Sequence, residues 1–137
     1  MRTAIDTNVL SAIWGFEPNA LSLSKLLTES RRSGSVVICG AVFAEAIAHP
    51  GSTEEFVRGF LEETGFSVDF DIGEEVWTEA GRRYALYAER RRRSSKEPSK
   101  RLLADFVIGS HALLHTDRLL TLDRERYQRD FPELKLL

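Results

Sequence analysis

Short, nearly uninterrupted apolar runs alternate with longer amphipathic stretches along the whole chain, and the two patterns call for different elements. The runs Arg2–Asp6, Ser35–Cys39, Phe66–Phe70, Arg118–Leu122 and Glu133–Leu136 have the length of strands. Helical spacing fills the intervals 7–15, 19–32, 41–48, 53–64, 74–93 and 102–115. Ser52-Thr-Glu-Glu55 and Asp71-Ile-Gly-Glu74 carry capping-box spacing, an oxygen acceptor three residues ahead of a Glu. Gly34, Gly65 and Pro50 stand where helices should stop, with His49 as a helix terminus. In the longest helix Val76, Ala80, Tyr84, Tyr87 and Ala88 form one stripe, opposite Glu79, Arg82, Arg83, Arg90 and Arg93. Strands alternating with helices predict an α/β fold: a mostly parallel sheet of four or five strands, with helices on both faces. Ligands of such sheets sit beyond the carboxyl ends of the strands, where the strand order reverses.

At 137 residues the chain fits one domain spanning 1–137, with a basic, partly linker-like segment at 90–101 in which Pro98 disfavours a helix. Hydrophobic residues are 42% and charged residues 29%, enough for a packed core and incompatible with a wholly disordered chain. The single Cys39 lies in an apolar run, which rules out an internal disulfide framework and a multi-cysteine zinc site. No apolar run approaches the ~20 residues that cross a bilayer. The opening residues already read as a strand with no room for a signal peptide, so the expected location is cytoplasmic.

Charge is near balance overall, at −2, yet residues 82–101 carry nine basic groups against Glu89 and Glu97, a local net of +7. An anion-facing patch on an acidic body is one reading; a solvated, Arg-rich helix end is the simpler one.

Four carboxylates interrupt otherwise apolar surroundings. Asp6 closes the first strand, two residues before Asn8, and Asp123 follows the strand ending Leu119-Leu-Thr-Leu122. Glu45 is the lone charge in Ala41–Ala48, and Asp105 sits in Leu102-Leu-Ala-Asp-Phe-Val-Ile108. Carboxylates are rarely buried without compensation. Taken alone, each has an ordinary explanation: Asp6 as a helix N-cap, Asp123 as the cap of the turn before Arg124-Glu-Arg126, Glu45 on a narrow exposed face, Asp105 paired with a basic neighbour such as Arg101. Taken jointly, two at strand ends and two inside apolar helices suggest one site. Converging carboxylates raise one another's pKa unless a cation neutralises them. Hard divalent ions with oxygen ligands do so, and metal-assisted phosphodiester hydrolysis is the chemistry that follows.

These residues resemble a known family. Asp6-Thr-Asn-Val-Leu10 is similar to the opening motif of PIN-domain ribonucleases, and Ala44-Glu45-Ala46 to their second acidic position. Ala104-Asp105-Phe-Val-Ile-Gly-Ser-His-Ala112 resembles the helix that bears the third acid, although Gly109-Ser110 stands where a small apolar pair is common. Leu120-Thr121-Leu-Asp123-Arg-Glu-Arg-Tyr127, ending in Phe131-Pro132, resembles the closing segment. The ordered set spans nearly the whole chain and is most similar to the VapC-type toxins of bacterial toxin–antitoxin modules. The resemblance implies a PIN-like three-layer sandwich and a metal-dependent endoribonuclease. It implies Asp6, Glu45, Asp105 and Asp123 around Mg²⁺ or Mn²⁺, with Asn8 and Thr121 in support. It also implies an RNA substrate, a homodimer and a cognate antitoxin. On this reading Arg82, Arg83, Arg90 and Arg93, continued by Lys96, Lys100 and Arg101, would contact RNA phosphates.

Two other functions are compatible with the pattern: a non-catalytic RNA- or partner-binding domain, and an Mg²⁺-dependent phosphatase with Asp6 as nucleophile. The four acids speak against the first, and Asn8, in place of a second Asp, against the second. His111 and His115 are spaced i, i+4, but no Glu follows His111 as in the metalloprotease helix, and the pair reads as a surface or helix-end feature. Trp14, Phe16, Trp77, Tyr84 and Tyr87 have faces that stack bases, yet their helical spacing reads as core or subunit interface.

Overall fold

In a computed structural model, which describes residues 1–94 and 102–137, four strands form one sheet in the order β3-β2-β1-β4, all pairs parallel. In chain order the elements are β1 (Arg2–Ile5), α1 (Thr7–Trp14), α2 (Ala20–Ser33), β2 (Ser35–Cys39), α3 (Gly40–Ala48), α4 (Glu54–Thr64), β3 (Ser67–Asp69), α5 (Gly73–Arg93), α6 (Leu103–His115), β4 (Arg118–Leu120) and α7 (Arg124–Asp130). Each strand expected from its apolar run is present except the last. Pro132 opens a turn, so the segment after it contributes only a bridge from Leu136 to Leu119 along the edge of β4. Conversely, α7 is a helix where the sequence suggested only a capped turn.

Strand alternation assigns the two faces. Arg2 and Asp69 reach α6, through His115 O and His111 respectively, whereas Arg118 bonds Thr3 and Ser30 of α2. Helices therefore cover both faces, and the core between the layers holds Ile5, Val36, Val37, Ile38, Leu119, Phe106 and Tyr127, all below 2% exposed or nearly so. The apolar stripe of α5 packs as expected, with Val76, Ala80 and Tyr87 buried and Tyr84 stacked on Phe106 at 5.1 Å between ring centroids. Among the described residues, no helix is long and apolar enough to cross a membrane.

Local chemistry sets the boundaries. Thr53, not Ser52, caps α4, accepting from the Phe56 amide, and Gly65 ends that helix in the left-handed region at φ 74°. The capping box expected at Asp71 does not form, because Gly73 (φ +82°) starts α5 two residues later. Gly34 is required by proximity: a Cβ there would lie 1.7 Å from Met1 O, where the chain leaves α2 and starts β2. The linker-like stretch around Pro98, with Lys96, Lys100 and Arg101, lies outside the described residues.

Candidate active site

The strand order reverses between β1 and β4, because the chain moves outward from β1 through β2 to β3 and then returns to the other side of β1. A crevice therefore opens at the carboxyl ends of these two neighbours. Asp6 follows β1 there, and Thr121 follows β4. The sheet ladder ends with the Asp6 amide donating to Leu120 O at 3.0 Å; beyond it side chains take over. Leu122 N donates to Asn8 Oδ1 (3.2 Å) and Asp123 N to Thr121 Oγ1 (3.0 Å), which is why both strands stop short of their apolar runs.

Asp6 is 5% exposed and is held at both oxygens. Oδ1 accepts from the Thr7 amide at 2.7 Å, making Asp6 the N-cap of α1, and Oδ2 accepts from Thr121 Oγ1 at 2.8 Å. The carboxylate expected in the site is thus also the cap of α1. Burial pushes its pKa up to about 6, the Thr121 bond opposes the rise, and the charges of Asp105 and Glu45 add to it. Asn8 Nδ2 approaches Thr121 Oγ1 at 3.4 Å, so Thr121 is itself held in place.

Glu45 comes from α3, half-buried, and accepts from Thr7 Oγ1 at 2.6 Å. Thr7 thus ties Asp6 through its amide and Glu45 through its hydroxyl, a link that sequence reading missed because Thr7 carries no charge. Asp105 lies in the first turn of α6 and its Oδ2 accepts from the Leu102 amide at 3.1 Å. Its suggested partner Arg101 lies outside the described residues. Asp6, Glu45 and Asp105 therefore share one electrostatic site. Asp123 stands beside it through Thr121, but its carboxylate faces Arg126 Nη1 at 3.6 Å and is not among the charges that raise Asp6. It also occupies the N-cap position of α7 without capping it by its side chain.

The donor set is wholly oxygen, with a buried carboxyl destabilised by two neighbouring negative charges, and this fits a hard divalent cation. The carboxylates around Asp6 are spread apart: among the described residues, only Asp69, His111 and His115 bring three ligand atoms within 4.8 Å of one another. The reading of the two histidines as a surface or helix-end pair holds for His115, the partly exposed last residue of α6, and is corrected for His111. His111 is 1% exposed and its ring bonds Asp69 Oδ2 at 2.8 Å, because α6 turns this flank onto the sheet.

The arginines of α5 are placed differently from one another. Arg83 is mostly covered, bonding Glu79 Oε2, both oxygens of Glu133 and Asp130 O, with its guanidinium 4.7 Å from the Phe131 ring centre. Arg90 reaches Asp130 Oδ1 at 2.9 Å. Arg82 and Arg93 are 68% and 77% exposed and, among the described residues, pair with neighbours on their own helix, Glu79 and Glu89. The shared face expected for all four thus divides into two inward, paired groups and two outward ones. Among the aromatics, Trp14 packs edge-on against Phe56 and Phe60, while Phe16 and Trp77 are exposed. A cleft of about 330 Å³ between α1, α2 and α4, lined by Ile13, Leu27, Phe60 and Phe66 with Arg31 and Arg32, contains no carboxylate and is separate from this chemistry.

Comparison with known proteins agrees with this architecture. The family model for the PIN domain matches residues 3–132. No curated protein sequence matches. Among solved structures, the chain superimposes on a chain of VapBC2 from Rickettsia felis, crystallised bound to a DNA fragment from its promoter, with TM-score 0.70 and 19% identity over 100% of this chain and 98% of that one. VapBC-1 from nontypeable Haemophilus influenzae gives TM-score 0.67 and 20% identity, covering 100% and 97%. FitAcB from Neisseria gonorrhoeae gives 0.60 and 17%, covering 98% and 96%. A four-stranded parallel sheet between helical layers, with an acidic site at its reversal point and a family model matched across nearly its whole length, makes this chain a member of the PIN domain family.

Proposed function

We propose that the chain is a divalent-metal-dependent endoribonuclease, acting as the toxin of a toxin–antitoxin pair. The observation that carries the reading is the buried Asp6 carboxyl, raised to about 6 and flanked by Asp105 and Glu45 at the β1–β4 reversal. When bound there, Mg²⁺ or Mn²⁺ supplies neutralising charge and a Lewis acid that makes water a competent nucleophile toward a phosphodiester. Asp6, Glu45 and Asp105 are the residues to hold it, with Asp123 at the margin. The protein's own part is preorganisation. Thr121 and the Thr7 amide orient both oxygens of Asp6, Thr7 Oγ1 orients Glu45, and the Leu102 amide orients Asp105, so each carboxylate is held toward the site and an ion would draw them closer together. At neutral pH Asp6 is largely ionised and available as a ligand.

The outward guanidiniums of Arg82 and Arg93 are suited to phosphate contacts, whereas Arg83 and Arg90 serve the fold through their carboxylates. The fold similarity to VapBC structures supports a cognate antitoxin as partner, and the homodimer stays an expectation of the family resemblance. The test is cleavage of total RNA with Mg²⁺, with and without chelator, by wild type, Asp6→Asn and Asp105→Asn. Cleavage by wild type only with the metal supports the proposal. Full activity in excess chelator, or in Asp6→Asn, refutes it.

A further inference from the structure

The acidic site leaves unexplained a second cluster of metal-ligating side chains on α6. From the part-buried carboxylate of Asp69 at the end of β3, and from His111 and His115 one helical turn apart on α6, three ligand atoms lie within 4.8 Å of one another. The imidazole rings are 5.8 Å apart between centroids, and His115 Nε2 also meets Glu75 Oε1 of α5 at 2.9 Å. We propose that Asp69, His111 and His115, with Glu75 as the adjacent fourth donor, form a zinc site distinct from the acidic site.

The chemistry of the donors separates the two sites. Imidazole nitrogen with carboxylate oxygen suits a borderline ion such as Zn²⁺, whereas an all-oxygen cage suits Mg²⁺. Ligand atoms at ~2.0–2.1 Å around a tetrahedral zinc stand about 3.3 Å from one another, so the cluster needs small side-chain shifts to close on the ion. Position separates them too. At 1.5 Å per residue, His111 and His115 lie about 9 Å and about 15 Å along α6 from Asp105. They also sit on another flank of the helix.

The shell around the ligands is built. His111 is buried, with its ring held on Asp69 Oδ2 at 2.8 Å. Arg2 donates to Asp69 Oδ2 at 2.6 Å and to the His115 carbonyl at 3.0 Å, fixing both ligand-bearing segments from outside. Partners of this kind orient the ligands of a metal site. Occupancy would tie β3 to α6, and through Glu75 to α5. The alternative is a closed network in which Arg2 and His111 together satisfy Asp69.

The test titrates chelator-treated full-length protein with Zn²⁺ against a chromophoric zinc chelator, and with Co²⁺ as an optical probe, both in excess Mg²⁺ so that the oxygen site is filled. One zinc per chain, a raised melting temperature and the intense visible bands of four-coordinate cobalt are expected. His115→Ala, at a partly exposed position that tolerates truncation, should weaken zinc binding at least ~10-fold and remove the bands. His111→Gln serves as a second ligand variant, and Asp6→Asn should leave both signals unchanged. Absence of zinc binding in wild type, an unaltered titration in His115→Ala, or loss of the bands in Asp6→Asn would each overturn the proposal. None of these outcomes depends on nuclease activity.

Discussion

Replacing Asp6 by Asn should strengthen the metal-free fold while abolishing cleavage. In the unfolded chain the Asp6 carboxyl titrates near 3.8; in the native protein burial, then Asp105 and Glu45, raise it to about 6. Below pH ~3.8 both states hold the proton, so this carboxyl has no differential effect. Between pH 4 and 6 the unfolded chain releases its proton first, and native stability falls. Above pH 6 the loss is complete, and a shift of this size corresponds to about 3 kcal/mol. Asn keeps the shape and accepts from the Thr7 amide, and its Nδ2 donates to Thr121 Oγ1 in place of the long 3.4 Å Asn8 contact. In chelator at pH 7.5, Asp6→Asn should therefore melt higher than wild type by up to ~10 °C. The two should converge near pH 4. Saturating Mg²⁺ should raise wild type much more than the variant, since an ion bound only to the native state stabilises it. Thermal melts followed by circular dichroism across pH 4–8 measure all three effects. A wild type as stable as Asp6→Asn at pH 7.5 without metal, or a gap that does not change with pH, would refute the argument that Asp6 is held ionised against its surroundings.

Thr121→Val removes the donor to Asp6 Oδ2 inside a buried site; urea unfolding at pH 7.5 should show a loss of ~1–3 kcal/mol, and Asp6 should titrate still higher by NMR. Gly109→Ala sets a Cβ 2.4 Å from the buried Phe131 ring, so overpacking should cost ~1–3 kcal/mol in the same assay, with the acidic residues untouched. Arg82→Ala with Arg93→Ala should flatten the log–log salt dependence of RNA binding by about 1.4, at ~0.7 per lost contact, with unchanged cut sites. Arg83→Ala should instead lower the unfolding midpoint by loosening Glu79, Glu133 and the Phe131 stack, while leaving that salt slope as it is.

Apolar run length and helical spacing determined which elements form, since a strand that begins at Arg2 or Ser35 needs only local propensity and burial on both faces. Glycine and proline marked several boundaries for equally local reasons, as at Gly34 and Gly65. The four acids stood out because charge interrupting an apolar run is visible in one dimension. Other features arose from contacts between segments far apart in sequence. That β4 lies beside β1 placed Thr121 on Asp6 across 115 residues, and the same packing aimed Asp123 at Arg126 rather than into the cage. Two arginines spaced along α5, Arg83 and Arg90, turned inward onto Glu133 and Asp130 because the chain after α6 returns along that helix. His111 looked like half of a helix-end pair until β3 brought Asp69 to it. Periodicity reports which residues leave water, but the partner each one meets depends on strand order and helix rotation, which only long-range packing decides.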